Sequence, residues 1–252
     1  MNEAHHALED MEKAGIFPDI VTYSALMDGL CKAGQLEKSM SLFSKLKSKG
    51  CIPNVFTYSI LIDGLCKDLK IDEAYRLFNE MLDNCCVPTI ITYNTLINGL
   101  CKVNKLEESW RIFQEALRHG CVPTVETYNI LIGAYCRNAQ LSKAFTLYHE
   151  MWREKIQPDT VTYNCLIHGL CLVGRVTKGY EILQKMKSKG CHPTIATYNT
   201  VLDGFCQGGE IDKARNLLLK MVRDGVKMDS FTHNTFLSLV LKIGNVDEAL
   251  TR

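Results

Sequence analysis

TYSILIDGLCK, residues 57–67, is one of six near-copies of a single segment. The others read TYSALMDGLCK at 22–32, TYNTLINGLCK at 92–102, TYNILIGAYCR at 127–137, TYNCLIHGLCL at 162–172 and TYNTVLDGFCQ at 197–207. Successive copies lie 35 residues apart without a slip, so cysteine recurs at 31, 66, 101, 136, 171 and 206. A period of this size marks a solenoid, in which each unit buries its apolar face only against its neighbours.

Apolar residues within a unit recur at helical spacing. Tyr23, Leu26, Met27 and Leu30 stand at i, i+3, i+4 and i+7, one face of a helix that Gly34 ends. Leu36, Met40, Phe43 and Leu46 form a second stripe, closed by Lys49-Gly50 and by Pro53, which cannot continue a helix. The proline returns at 18, 88, 123, 158 and 193, and no strand alternation of useful length is present. The expected fold class is all-α, a solenoid of helical hairpins. With position 1 at Ile20, complete repeats fall at 20–54, 55–89, 90–124, 125–159, 160–194 and 195–229. Residues 1–19 read as the second helix of an earlier repeat and 230–252 as the first part of a later one. These incomplete ends suggest a piece of a longer array. Phe231, Phe236, Leu237 and Leu241, covered only by Val246–Leu250, suggest self-association.

Composition excludes several classes. The net charge of +1 does not advertise nucleic acid and does not exclude it, since charge can gather on one face, and no apolar run reaches the roughly 18–20 residues of a membrane span. The first six residues are neither a secretory signal nor a basic transit peptide. Twelve cysteines at repeat spacing, without a CxxC pair, read as reduced, small hydrophobes in a reducing compartment rather than metal ligands. No nucleophile elbow, phosphate loop, zinc-hydrolase or deaminase signature occurs. The chain therefore reads as a binding scaffold, not an enzyme, and no cofactor is expected.

Four columns invite attention. Threonine fills position 3 (22, 57, 92, 127, 162, 197, 232), read as the helix N-cap, and a packing tyrosine follows it in all but the last. Position 5 holds Ser24, Ser59, Asn94, Asn129, Asn164, Asn199 and Asn234, small polar residues among apolar neighbours. An amide there can meet the edge of a splayed base or make a hydrogen bond between repeats. Position 13 holds Lys32, Lys67, Lys102, Arg137 and Lys242, broken by Leu172 and Gln207. That is either a stripe facing phosphates or a set of solvated side chains.

A 35-residue helical hairpin with TYNTLINGLCK in its first helix and Phe78 with Met81 in its second resembles the pentatricopeptide repeat. Its unvarying length is similar to the P class of plant organelles. The tetratricopeptide repeat has 34 residues and a tryptophan column that Trp110 and Trp152 do not fit. The resemblance implies a right-handed α-solenoid that binds single-stranded RNA, one base per repeat, in a mitochondrion or alternatively a chloroplast. It also implies that positions 5 and 35 read the base. Ser24 with Asn54 then favours adenine, Ser59 with Thr89 a purine, and Asn94 with Thr124 a pyrimidine. Asn129 with Asp159 favours uracil, Asn164 with Thr194 a pyrimidine, and Asn199 with Asp229 uracil. The implied site is 5′-A-R-Y-U-Y-U-3′. Position 2 would sandwich the base through Val21, Phe56, Ile91, Val161, Ala196 and Phe231, with Glu126 departing from the pattern. Position 13 would meet phosphates. The alternative reading is a protein-interaction solenoid with a peptide in its groove.

Overall fold

The computed structural model describes residues 11, 13–15 and 18–242. The terminal cover expected from Val246 to Leu250, and most of the helix expected around Ala7–Ala14, lie outside these residues. Every regular element among the described residues is a helix of 13 residues. The chain divides into two compact units, Met1–Pro123 and Thr124–Arg252. The first holds three hairpins, α1 (Ile20–Lys32) with α2 (Leu36–Ser48), α3 (Val55–Lys67) with α4 (Ile71–Asp83), and α5 (Ile90–Lys102) with α6 (Leu106–Arg118). The second holds α7 (Val125–Arg137) with α8 (Leu141–Arg153), α9 (Thr160–Leu172) with α10 (Val176–Ser188), α11 (Ile195–Gln207) with α12 (Ile211–Arg223), and α13 (Ser230–Lys242).

The helix starts correct one expectation. The N-cap of each first helix is the residue at position 35, not the threonine at position 3. Asp19, Asn54, Asp159 and Asp229 each accept the backbone N–H of the threonine three residues on, at 2.8–3.0 Å. The threonine hydroxyl accepts the cap residue's own N–H in return, closing capping boxes at Asn54, Thr124, Asp159 and Thr194. The cap residue is extended and its side chain takes the threonine N–H, so the helix opens two residues before the threonine.

Each hairpin turns on one residue with positive φ. Gly34 (φ 69°), Gly174 (73°) and Gly209 (72°) adopt it freely, whereas Leu69 (59°), Asn104 (62°) and Ala139 (57°) adopt it with side chains. Inside, the tyrosines of position 4 are at most 1% exposed. The second helix of one hairpin sets an aromatic edge against the next tyrosine: Phe43 on Tyr58 at 5.5 Å, Phe78 on Tyr93 at 5.3 Å and Tyr148 on Tyr163 at 6.0 Å. Such pairs add roughly 0.5–1.5 kcal/mol to the burial itself.

The cysteine column packs into a glycine column of the following repeat. A Cβ on Gly99 would lie 2.7 Å from Cys66 Sγ, and one on Gly169 would lie 2.6 Å from Cys136 Cβ and 3.1 Å from its Cα. All twelve cysteines are free thiols. Burial pushes Cys66 and Cys136 up to about 12 and Cys171 to about 11, so these groups behave as small hydrophobes.

Two outcomes follow for stability. Gly169→Ala costs about 1–3 kcal/mol through overpacking against the Cys136 backbone, more than the ~1 kcal/mol alanine gains in helix propensity; urea unfolding measures the difference. Hydrogen bonds from the Thr22 N–H and hydroxyl hold the Asp19 carboxyl below its ordinary value, and Thr232 does the same for Asp229. Burial works to raise Asp159, but bonds from Thr162 and Asn129 together lower it. These carboxyls bind protons less readily when folded, so their contribution is complete above the unfolded value near about 4 and is lost as pH falls through the lowered folded values. The melting temperature should stay flat as these groups are followed from neutrality to about pH 5, then fall below about pH 4.

Candidate functional site

The two proposed base-reading columns meet at a third residue. Within each unit, a position 3 threonine that follows another repeat reaches back to position 5 of that repeat and to the cap at position 35. Within the first unit, the Thr57 hydroxyl lies 3.1 Å from Ser24 Oγ and donates to Asn54 Oδ1 at 3.0 Å. Thr92 Oγ1 lies 2.9 Å from Ser59 Oγ and 3.3 Å from Thr89 Oγ1. Within the second unit, Thr162 donates to Asn129 Oδ1 at 2.6 Å, Thr197 to Asn164 Oδ1 at 2.7 Å and Thr232 to Asn199 Oδ1 at 2.8 Å. The Asn129 amide N–H in turn meets Asp159 Oδ1 at 3.0 Å, and that of Asn199 meets Asp229 Oδ1 at 3.4 Å. Position 5 is thus an inter-repeat hydrogen-bonding position as well as a candidate reader. Asn94 is buried with its Oδ1 unpartnered, and Asn234 is exposed.

Position 2 is the apolar counterpart. Val21 (69%), Phe56 (62%), Ile91 (69%), Val161 (52%) and Phe231 (55%) expose most of their side chains, and Ala196 and Glu126 are exposed too. Recurrent exposure of large apolar groups in one column marks a contact surface rather than scatter. In the second unit a pocket of about 340 Å³ shows the local arrangement, with Asn199 lining it together with Ala196 from its own helix and Phe231 from the next. Glu126 sits in the first turn of α7, where the helix N-terminus favours its charge.

Position 13 holds cations that are in ion pairs and cations with no carboxylate one turn back. Lys32 binds Asp28 and Lys67 binds Asp63, each at 2.6 Å across one helical turn. Lys102 and Arg137, both exposed, have Asn98 and Gly133 at that spacing instead. Gln207 bonds Asp203 at 2.7 Å, and Leu172 is exposed. The side chain of Lys242 lies outside the described residues. The position 9 aspartates went unread in the sequence, although an Asp–Lys pair four residues apart is a recognisable helix signal. No group of three or more metal-ligating side chains forms among the described residues, and no helix among them is long and apolar enough to cross a membrane.

Comparison with known proteins agrees along the whole array. The profile of the PPR repeat family matches residues 1–32, 18–67, 61–102, 88–137, 123–172, 158–207 and 193–242. A pentatricopeptide repeat-containing protein of Arabidopsis thaliana is 46% identical over 41 residues, 16% of this chain and 9% of that protein. The structure of the pentatricopeptide repeat protein PPR10 in complex with an 18-nt psaJ RNA element superposes with a TM-score of 0.84 at 28% identity, covering 98% of this chain and 36% of that one. A second structure of PPR10, from maize, gives 0.56 at 26% identity over 98% of this chain and 45% of that one. The chain thus spans less than half the length of each of these three relatives. With its repeats matched from residue 1 to residue 242, this all-α array of tandem helical hairpins belongs to the PPR repeat family.

Proposed function

We propose that the chain binds single-stranded RNA, reading one base per repeat, and acts in organelle RNA metabolism, in the mitochondrion or alternatively the chloroplast. The observation that carries this reading is the company, within each unit, of an exposed apolar column with a tied polar pair, seen together where Asn199, Ala196 and Phe231 line one pocket. Apolar groups stack on any base, and the polar pair meets its edge. PPR10, which superposes at 0.84, is described in complex with RNA.

Hydrogen-bond polarity supports the assigned bases. In the fourth repeat Asp159 Oδ1 is taken by Thr162 and Asn129, which leaves Oδ2 as an acceptor. A carboxylate accepts only, so it favours a base with a ring N–H; uracil has one and cytosine does not. In the first repeat Asn54 Oδ1 is taken by Thr57, leaving its N–H donors for a base with an unprotonated ring nitrogen. Adenine has such a nitrogen, and the small Ser24 leaves room for a purine. A threonine at position 35 both donates and accepts, so the fifth repeat, with Asn164 and Thr194, accepts either pyrimidine. The Asn164 amide then donates to the ring carbonyl O2 that both pyrimidines carry and neither purine has.

Lys102 and Arg137 are the cations best placed to meet phosphates, since Lys32 and Lys67 must first release their aspartates. Binding should therefore weaken with salt at a shallow slope, near −0.7 on logarithmic axes for each phosphate neutralised.

Equilibrium binding to 5′-ARYUYU-3′ in an unstructured RNA, against a scrambled control at two salt concentrations, tests the reading. Preference for the first RNA is expected; absence of binding to both would point to a peptide in the groove. Asp159→Asn keeps the cap, as Asn54 shows, but exchanges an acceptor for a donor. It should move the fourth place from uracil to cytosine by about tenfold, a hydrogen bond to a charged group being worth roughly 1.5–3 kcal/mol. Glu126→Val should tighten binding by about fivefold, ~1 kcal/mol for a restored stacking contact; unchanged affinity would place the carboxylate away from the RNA.

A further inference from the structure

We infer that the threonine opening each repeat is a positioning residue for the base read by the repeat before it, because it decides which end of the position 5 amide faces the groove. The inference rests on the RNA reading above and adds a determinant to it. Thr162, Thr197 and Thr232 are at most 1% exposed. Each hydroxyl has one proton and already accepts an N–H from its cap residue: Asp159 at 3.1 Å, Thr194 at 3.0 Å and Asp229 at 3.3 Å. The proton is directed to the amide oxygen of Asn129, Asn164 or Asn199, and in the fourth and sixth repeats it is shared with the cap carboxylate, Asp159 Oδ1 at 3.0 Å and Asp229 Oδ1 at 2.7 Å. That oxygen is turned inward and the NH₂ group is left as the outward face.

The repeats differ in what else holds the amide. Asp159 and Asp229 can only accept, so the amide end facing them must be nitrogen; these repeats hold their asparagine from two sides. In the fifth repeat position 35 is Thr194, and Asn164 has no hydrogen bond to it among the described residues. Thr197 alone orients Asn164. Without that hydroxyl the amide can turn its oxygen outward, where it repels the O2 of a pyrimidine. Two threonines at equivalent positions thus have unequal weight in recognition: Thr197 is decisive for its base, and Thr162 is backed by Asp159.

The test is base-by-base binding with RNAs varied at the fourth and fifth places, using the full chain. Thr197→Val should reduce pyrimidine-over-purine preference at the fifth place by about fivefold, the worth of one hydrogen bond, and leave the fourth place unchanged. Thr162→Val should change the fourth place by less than about twofold, although both variants remove the same buried hydroxyl. Thr197→Ser should retain the preference. Thr194→Asp added to Thr197→Val should restore it by supplying the second tie, and Thr197→Ala serves if the valine variant does not fold. Unchanged preference in Thr197→Val, an equal loss at both places in either variant, or no rescue by Thr194→Asp would overturn the inference while leaving base reading intact. A wild-type chain without preference at any place would overturn base reading and this inference with it.

Discussion

A buried hydroxyl with one proton to give is the point on which the repeat junctions of each unit turn. The position 3 threonine takes the N–H of the cap behind it and passes its proton to the acceptors that face it. In doing so it joins three things that are separate in the sequence: the start of its own helix, the cap at position 35 and the side chain at position 5 of the preceding repeat. A buried polar group without a partner costs about 1–3 kcal/mol, which favours satisfying the threonine at the junctions within each unit. Satisfying it places positions 5 and 35 side by side. Structural necessity and the candidate reading surface are one arrangement.

The rest of the hairpin keeps that arrangement in register. Tyr58, Tyr93 and Tyr163 receive an aromatic edge from the preceding second helix, and Cys66 and Cys136 sit where Gly99 and Gly169 offer no Cβ. Both contacts have short reach and small tolerance, so adjacent first helices approach closely and at a constant offset. A hydrogen bond of 2.6–2.8 Å from threonine to asparagine at three successive junctions of the second unit requires that constancy. Exposure of Val21, Phe56 and Ile91 in the first unit runs against the same economy of burial. Such exposure is retained where something else covers the residues.

Much of this was legible from the chain because repetition multiplies weak signals. The 35-residue spacing, two apolar stripes and a recurrent proline were enough for the helical hairpins, and the family followed from TYNTLINGLCK with Phe78 and Met81. The start of each helix was misread because Thr57 and Thr162 look like caps, while the caps, Asn54 and Asp159, stand three residues before the Thr-Tyr signature begins. The tie between Thr162 and Asn129 spans 33 residues, a distance at which local pattern says nothing. Leu69 and Ala139 turn with positive φ where Gly34 and Gly174 do so in other repeats. Neither side chain favours that conformation; position in the repeat imposes it.

The same repetition explains where the array can vary. Surface pairs such as Lys32 with Asp28 are worth at most about 0.5 kcal/mol, so exchanging the carboxylate for another anion costs little, and their presence in some repeats and absence in others leaves the fold unaffected. Position 35 accepts aspartate, asparagine or threonine because each has an oxygen that caps the helix, as Asp19, Asn54 and Thr194 all do. What differs among the three is the atom left over: a second carboxylate oxygen, an NH₂ group or a hydroxyl that serves either way. The cap requirement thus restricts position 35 to side chains that differ in hydrogen-bond polarity. A helix start is thereby also the place where one repeat can be made chemically distinct from the next without disturbing the stack.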